Sequence, residues 1–343
     1  MGVVTGGRAP RGGVSRWAVA GVVATVAWVA VARVPAALEG WATYVHPALS
    51  HALAAVTDRV ALPLTPVLAF AGVAVWIALA RARPATWGRR ATRGLGIALL
   101  VVAAFQGVWG LHGARPPVEV RLDLPADPPS DADVAALADA LLATLRRDAP
   151  VGPFDGPAAE AAVRREVARF APDVRLPARA KRVPHAVFGP LGVGGVISPW
   201  TLEVHVDGGL PAWARAATAA HEWAHAAGFE SEAGAELVGA LAGVRADHPD
   251  ARYAAALRAW TLLPPAVRSA ALEGVAAPDA PWRARMRADL RALAEATAGP
   301  SPLRRAAWTV YAGYLQVRGQ GDGVAGYARG VTLLDAARRA GLW

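Results

Sequence analysis

The stretch Thr218-Ala219-Ala220-His221-Glu222-Trp223-Ala224-His225-Ala226-Ala227-Gly228 reads H-E-x-x-H inside a run of good helix formers, with no proline and no other charge. Two imidazoles four residues apart on a helix share a face and stand about 6 Å apart along the axis, so both can reach one ion. Glu222 projects beside that face, where a carboxylate can hold a water on the ion and take its proton. Trp223, Ala224 and Ala226 are uncharged, as a buried active-site helix requires, and Gly228 stops the helix where the chain must reverse. The bland alternative is a solvated face that happens to carry two histidines and a glutamate. With eight histidines in 343 residues, a chance match is rare, on the order of one chain in a hundred.

A catalytic zinc takes three protein ligands and keeps one position open. The third ligand is sought just beyond the glycine turn, in Phe229-Glu230-Ser231-Glu232-Ala233-Gly234-Ala235-Glu236. Ser231 can cap a second helix running to about Arg245. Glu232 and Glu236 then share one face of it. Glu232 is the preferred ligand, and Glu236 hydrogen-bonds a ligand histidine and fixes its tautomer. Two alternatives stay open: Glu236 is itself the ligand, or Glu232 only complements the helix N-terminus.

Hydrophobic residues make up 54% of the chain, its mean hydropathy is positive and its net charge is +9. So apolar a balance points to membrane segments. The basic excess sits beside them: up to Ala114 ten arginines face only Glu39 and Asp58, and the remainder is nearly neutral. A nucleic-acid binder would concentrate charge on its folded domain, so nucleic acid is not an expected partner. Cysteine is absent, which removes disulfides, thiol catalysis and thiolate ligands.

Three apolar runs are candidates to span a bilayer: Trp17 to Ala32, extended by snorkelling of Arg33, then Val60 to Ala80 and Gly94 to Ala114. The first lacks a convincing cleavage site before a soluble domain, so it is read as a span and not a signal peptide. Arg8, Arg11 and Arg16, and Arg81, Arg83, Arg89, Arg90 and Arg93, mark the N-terminal tail and the second-to-third loop as cytoplasmic. An odd number of spans puts everything after Arg115 outside. Expected are a cytoplasmic tail (1–16), a three-helix transmembrane region (17–114) and an extracytoplasmic domain (115–343) of a multi-pass inner-membrane protein. His46 and His51, in a stretch that can lie along the outer interface, are read as packing or interfacial residues.

Beyond the membrane, Arg115 to Pro129 is Pro-rich and reads as an extended linker. Ser130 caps an amphipathic helix to about Arg147, with Val134, Leu137, Leu141 and Leu145 on one face. A second helix covers Ala158 to Phe170, and Pro172 to Pro184 reads as irregular. Val187 to Asp207 reads as a short sheet with a turn at Ser198-Pro199-Trp200. On its second strand Glu203, His205 and Asp207 share a face. His205 and Glu203 are candidates to meet the oxyanion or the substrate, against the blander reading of a solvated sheet face. Ala251 to Trp260, Pro265 to Leu272, Arg283 to Ala296 and Pro302 to Val317 read as helices, followed by a turn-rich segment from Tyr314 to Tyr327. Tyr311, Tyr314 or Tyr327 is a candidate proton donor, against a buried tyrosine with a structural hydrogen bond.

Nearly end to end, the layout resembles the bacterial polytopic membrane proteins grouped as domain of unknown function 3810. The resemblance rests on Trp109-Gly110-Leu111-His112 with Arg115-Pro116-Pro117, on Ser198-Pro199-Trp200-Thr201-Leu202-Glu203, on His221 to Phe229, and on Gly319 to Val324 with Tyr327. It implies a metallopeptidase and names no substrate. Where that family shows E-x-E-A-N, this chain has Glu232-Ala233-Gly234-Ala235-Glu236, which leaves the third ligand less defined than the two histidines. A strand just before an H-E-x-x-H helix lends its edge to an extended peptide in the zincins.

The fold expected is therefore mainly α: three transmembrane helices followed by a zincin-like α+β domain with a small sheet. The function expected is hydrolysis of a peptide or protein substrate by a metal-activated water, with Zn²⁺ on His221, His225 and Glu232 and with Glu222 as base. Two alternatives stand beside it. An intramembrane metalloprotease would have to bury Arg215, His221, Glu222 and His225 in lipid, which is costly. A metal-stabilised membrane scaffold would have no use for Glu222 as a base.

Overall fold

A computed structural model of the chain describes residues 15–81, 87–275, 280–298, 301–317 and 325–343. Helices dominate: α1 (Arg16–Arg33), α2 (Pro35–Gly40), α3 (His46–Thr57), α4 (Leu64–Arg81), α5 (Trp87–Val108), α6 (Val118–Arg121), α7 (Asp131–Asp148) and α8 (Gly156–Phe170) precede the sheet. The sheet comprises β1 (Lys181–Val183), β2 (Gly195–Ile197) and β3 (Val204–Asp207), with a short helix α9 (His185–Phe188) between β1 and β2. Then follow α10 (Ala212–Ala226), α11 (Glu232–Arg245), α12 (Pro249–Leu262), α13 (Pro265–Glu273), α14 (Pro281–Ala296), α15 (Pro302–Val317) and α16 (Ala325–Arg339). β3 is central, parallel to β1 and antiparallel to β2, so β2 is an edge strand.

Among the described residues two helices, against three expected, are long and apolar enough to cross a membrane: α1 and the Arg90–Val108 part of α5. They pack along their length, because Gly21 and Gly96 let the backbones meet. A Cβ on Gly96 would lie 2.3 Å from the Trp17 carbonyl carbon, and one on Gly107 would lie 2.6 Å from the Trp28 ring. Trp17 thus pairs with Gly96 and Trp28 with Gly107, so the two helices run parallel. Val22, Val23, Val26, Val101 and Val102 are exposed along them.

α4 begins at Leu64, four residues later than expected, and its clear apolar run is Leu64–Ala74. Its start is set by tertiary contact. A helix N-terminus leaves its first N–H groups without intrahelical acceptors; those of Leu64 and Thr65 donate to the Glu203 carboxylate at 2.9 and 3.1 Å. The expected third span also stops early, at Val108. Trp109 turns out of the helix (φ −143°) because its indole is buried in the main core, where Nε1 donates to the His225 carbonyl at 3.1 Å.

Arg115 to Pro129 is not a free linker. Val118 and Leu124 are buried, and the Arg121 guanidinium lies 4.1 Å from the Phe229 ring centre while donating to the Gly228 carbonyl. His46 and His112 are both buried and meet edge to face. Their pairing answers the packing reading of His46, while His51 is exposed.

α10 runs through the middle of the domain, packed by α8, α11 and α12 and floored by the sheet. Trp213, Trp223, Trp260, Leu137, Leu141 and Leu145 are fully buried, each leucine contributing about 2 kcal/mol of burial. The buried indoles find acceptors, as with Trp223 Nε1 on the Pro177 carbonyl. Ser130 and Asp133 close a capping box at the start of α7. β1 and α16 are among the elements that escaped the sequence pattern. β1, in the stretch expected to be irregular, is three residues long, too short to show alternation. α16 carries a fully buried Asp335, paired with Arg338 and Arg339, which blurs its apolar face. The expected turn-rich segment is helical up to Val317 and from Ala325; residues 318–324, with most of the late glycine-rich motif, lie outside the described residues.

Candidate metal centre

His221, Glu222 and His225 stand on α10, and Gly228 turns the chain back. Its φ of +91° is left-handed, a region that glycine enters without steric cost, and its N–H and that of Phe229 bond back to the carbonyls of His225 and Ala224. Ser231 Oγ accepts the Gly234 N–H and starts α11, which places Glu232 in its first turn and Glu236 one turn on.

These elements bring three donors together. His221 Nε2 lies 3.3 Å and His225 Nε2 3.5 Å from the two oxygens of Glu232, and one donor atom from each residue fits within 4.8 Å of the others. Donors held about 2.0–2.2 Å from a tetrahedral ion are roughly 3.3–3.5 Å apart; two imidazoles and a carboxylate gathered this closely could hold a metal ion, and the donor types suit zinc. His225 Nδ1 is 2.8 Å from the Phe229 carbonyl. The proton therefore sits on Nδ1, leaving the Nε2 lone pair for an ion. His221 Nδ1 is 3.4 Å from Glu236, whose carboxylate is gripped by both arms of Arg258 at 3.0 and 2.8 Å.

The electrostatics follow from that crowding. Burial works against a charge on His221, but its hydrogen bonds to the Glu232 and Glu236 carboxylates and the charges of Glu232 and Glu222 outweigh it and raise the imidazole to about 10. Burial likewise opposes the Glu232 charge, and the two histidines overcome it, holding the carboxylate well below its usual range. An ion entering among these groups would have to displace the His221 proton, so its uptake would release protons. Glu222 behaves differently: burial pushes its carboxyl up, against the pull of the two imidazoles. A carboxylate raised toward neutrality is a better proton acceptor.

β2 closes one side. A Cβ on Gly195 would fall 3.0 Å from Glu222 Oε1 and 2.6 Å from the Thr218 methyl, so the edge strand can lie against α10 only through glycine. On another side α15 brings Tyr311, whose hydroxyl donates to Glu232 Oε1. Of the tyrosines named as proton donors, Tyr311 is the one seen at the cluster, and the Tyr314 side chain lies outside the described residues.

Glu203 and His205 are placed elsewhere. The face they share with Asp207 is buried and not solvated. Glu203 pairs with Lys181, the only lysine, and caps α4; Lys181 also donates to the Leu62 carbonyl. His205 lies beneath it, its Nε2 3.7 Å from Glu203 and without a hydrogen-bond partner among the described residues. Both were expected at the substrate because β3 alternates cleanly. What alternation cannot show is that the first residues of α4 and Lys181 engage Glu203, and that His185 engages Asp207.

The Glu203 cap has a pH signature. Burial pushes its carboxyl up, but Lys181, the Leu64 N–H and Thr201 outweigh burial and hold it below the usual carboxylate range. A depressed group stabilises the fold above its unfolded value and loses that contribution as pH falls through its folded value. Glu203→Gln is therefore expected to lower the melting temperature most at neutral pH, with the gap to wild type closing below about pH 4. A gap equally wide at pH 7 and pH 3 would show that the carboxylate charge is not what holds α4.

A family model described as "Protein of unknown function (DUF3810)" matches residues 41–334, most of the chain. The chain belongs to that family. The DUF3810 match begins at Trp41, just after α2, and takes in α10, α11 and the residues of the cluster. Neither a curated protein nor a solved structure matches the chain.

Proposed function

We propose that this DUF3810 protein is a membrane-anchored zinc metallopeptidase with a zincin-like domain. The observation that carries the reading is the convergence of His221, His225 and Glu232 beside a buried Glu222 that belongs to none of the ion's donors. A purely structural zinc site closes its fourth position and has no need of a base. Zinc held there would polarise the scissile carbonyl and acidify a water. Glu222 takes the proton of the attacking water and passes it to the leaving amine. Glu236, fixed by Arg258, orients His221; the Phe229 carbonyl orients His225. The outer edge of β2, running past Glu222 at Gly195, offers main-chain groups to an extended peptide.

The parallel α1 and α5 support three crossings. If both cross, the chain must return between them, and α4 is the helix available for it. α4 starts and α5 ends against the same domain, at Glu203 and at the His225 carbonyl. In that arrangement the N-terminal ends of α1 and α5, next in sequence to the arginine-rich segments, would lie on the face opposite the domain. By the excess of positive charge that face is cytoplasmic, and the domain is extracytoplasmic.

The test uses the full chain in detergent. Elemental analysis is expected to find one zinc per chain, and the zinc-loaded protein to cleave denatured protein or a peptide library. Chelation is expected to abolish cleavage and added zinc to restore it. One bound zinc with no cleavage of any peptide, or cleavage that survives chelation, would overturn the reading.

A further inference from the structure

A pocket beside the first turns of α15 is lined by an arginine and a histidine. Its volume is about 170 Å³, and its walls include His185, Gly192, Val193, Thr297, Arg304 and Trp308. Arg304, in the first turn of α15, lies across Gly192, where φ is +69° and a Cβ would meet Arg304 Nε at 2.7 Å. Its two terminal nitrogens donate to the Thr297 and Gly189 carbonyls at 3.2 and 3.4 Å, while Nε is buried and has no partner among the described residues. Among the described residues no carboxylate forms an ion pair with this guanidinium. The acid that also lines the pocket, Asp207, is already engaged by His185 Nδ1 at 2.7 Å and by the Gly209 N–H at 2.8 Å. His185 sits between Gly189 and Gly209, each of which would strike its ring if it carried a Cβ. With Nδ1 held by Asp207, Nε2 is the ring nitrogen left for a ligand.

α15 joins this pocket to the cluster. Arg304, Trp308 and Tyr311 are spaced as one helical face; the Trp308 and Tyr311 rings meet edge to face at 6.0 Å, and Tyr311 reaches Glu232. The opposite wall is the chain from Gly192 into β2, which reaches Glu222 at Gly195. From Arg304 to Tyr311 is seven residues, roughly 10 Å of helix. An extended peptide covers that distance in about three residues.

We propose that Arg304 and His185 form a subsite for a carboxylate on the bound peptide, about three residues from the bond at the cluster, and that this selects acidic or C-terminal substrates. The assignment rests on the peptidase reading for its register, and binding tests it without cleavage. Arg304 is a specificity residue: it supplies a charged, pinned donor to the carboxylate and touches no reacting atom.

The experiment measures fluorescence anisotropy of labelled peptides on full-length, zinc-loaded Glu222→Gln protein in detergent. Three arms are an amidated neutral peptide with glutamine three residues to either side of a central Ala-Ala, its glutamate counterpart, and the neutral peptide with a free C-terminus ending at the same distance. Tighter binding of the glutamate peptide, by about tenfold, identifies an acidic side chain as the ligand. The same gain for the free C-terminus identifies a terminal carboxylate. Arg304→Gln is expected to erase the gain of the charged peptides over the neutral one, and Arg304→Lys to keep part of it. Zinc content and melting temperature report whether these variants fold; the peptide comparison in the parent needs neither variant. Equal binding of all three peptides, or a preference that survives in folded Arg304→Gln, overturns the proposal. If wild type cleaves nothing while the Arg304-dependent gain persists, the subsite stands and the hydrolase falls. Cleavage without any carboxylate preference does the reverse.

Discussion

Glu222→Gln is expected to lower the rate of peptide hydrolysis by about two to four orders of magnitude while leaving one zinc bound per chain. Glutamine fills the same space on α10 but cannot take a proton. The donors for an ion are His221, His225 and Glu232, so the metal should stay. The variant should also melt no lower than wild type, because it exchanges a buried carboxyl, raised by burial, for a neutral amide. The measurement pairs kcat/KM on a quenched peptide with zinc content and a melting curve. A variant with wild-type rate would move the base to another residue. Zinc lost in step with activity would make Glu222 part of the site's structure and not of its chemistry.

Gly228→Ala is expected to cost about 2–4 kcal/mol of stability, the sum of a left-handed backbone penalty and overpacking. Gly228 has φ of +91°, and an added Cβ would fall 2.5–3.0 Å from three atoms of the buried His112 ring. The two costs can be separated. In a His112→Ala background the ring is gone, so the packing part should vanish and only the backbone part remain; the coupling between the two substitutions measures it. Because Gly228 sets the reversal that brings Glu232 to the histidines, Gly228→Ala should weaken zinc binding as well. Unchanged melting in Gly228→Ala would show that the turn is not the constraint the backbone angle implies.

Position in the chain explains which parts of this protein were legible beforehand. The α10–α11 turn could be read because each signal is local: an i, i+4 histidine pair, Gly228 as the stop, Ser231 as the cap. The turn at Ser198 to Trp200 was legible for the same reason, with Ser198 and Glu203 bonded across it. Glu203 was misread because its partners lie 22 and 139 residues away, at Lys181 and Leu64. The alternation of β3 marked two faces but could not say that both would be covered. Of the three candidate tyrosines Tyr314 was the one set at the site, and only the packing of α15 shows that the Tyr311 hydroxyl reaches Glu232. Arg304 and His185 gave no signal at all, since a lone arginine in a helix and a lone histidine after a proline ordinarily face solvent.

By itself, then, the order of residues determined the helical period, the cap and stop residues, the apolar runs and a donor set on adjoining helical turns. All of these follow from interactions within a few residues of one another. The tertiary structure alone decided that α5 ends at Val108, because the indole of the next residue, Trp109, is worth more buried on the His225 carbonyl than in an apolar span. It also decided that Glu203 caps α4 instead of meeting a substrate, and that α15 lies over the cluster. Those outcomes turn on which buried polar group finds which distant partner, and an unpaired buried group costs enough to reposition whole helices.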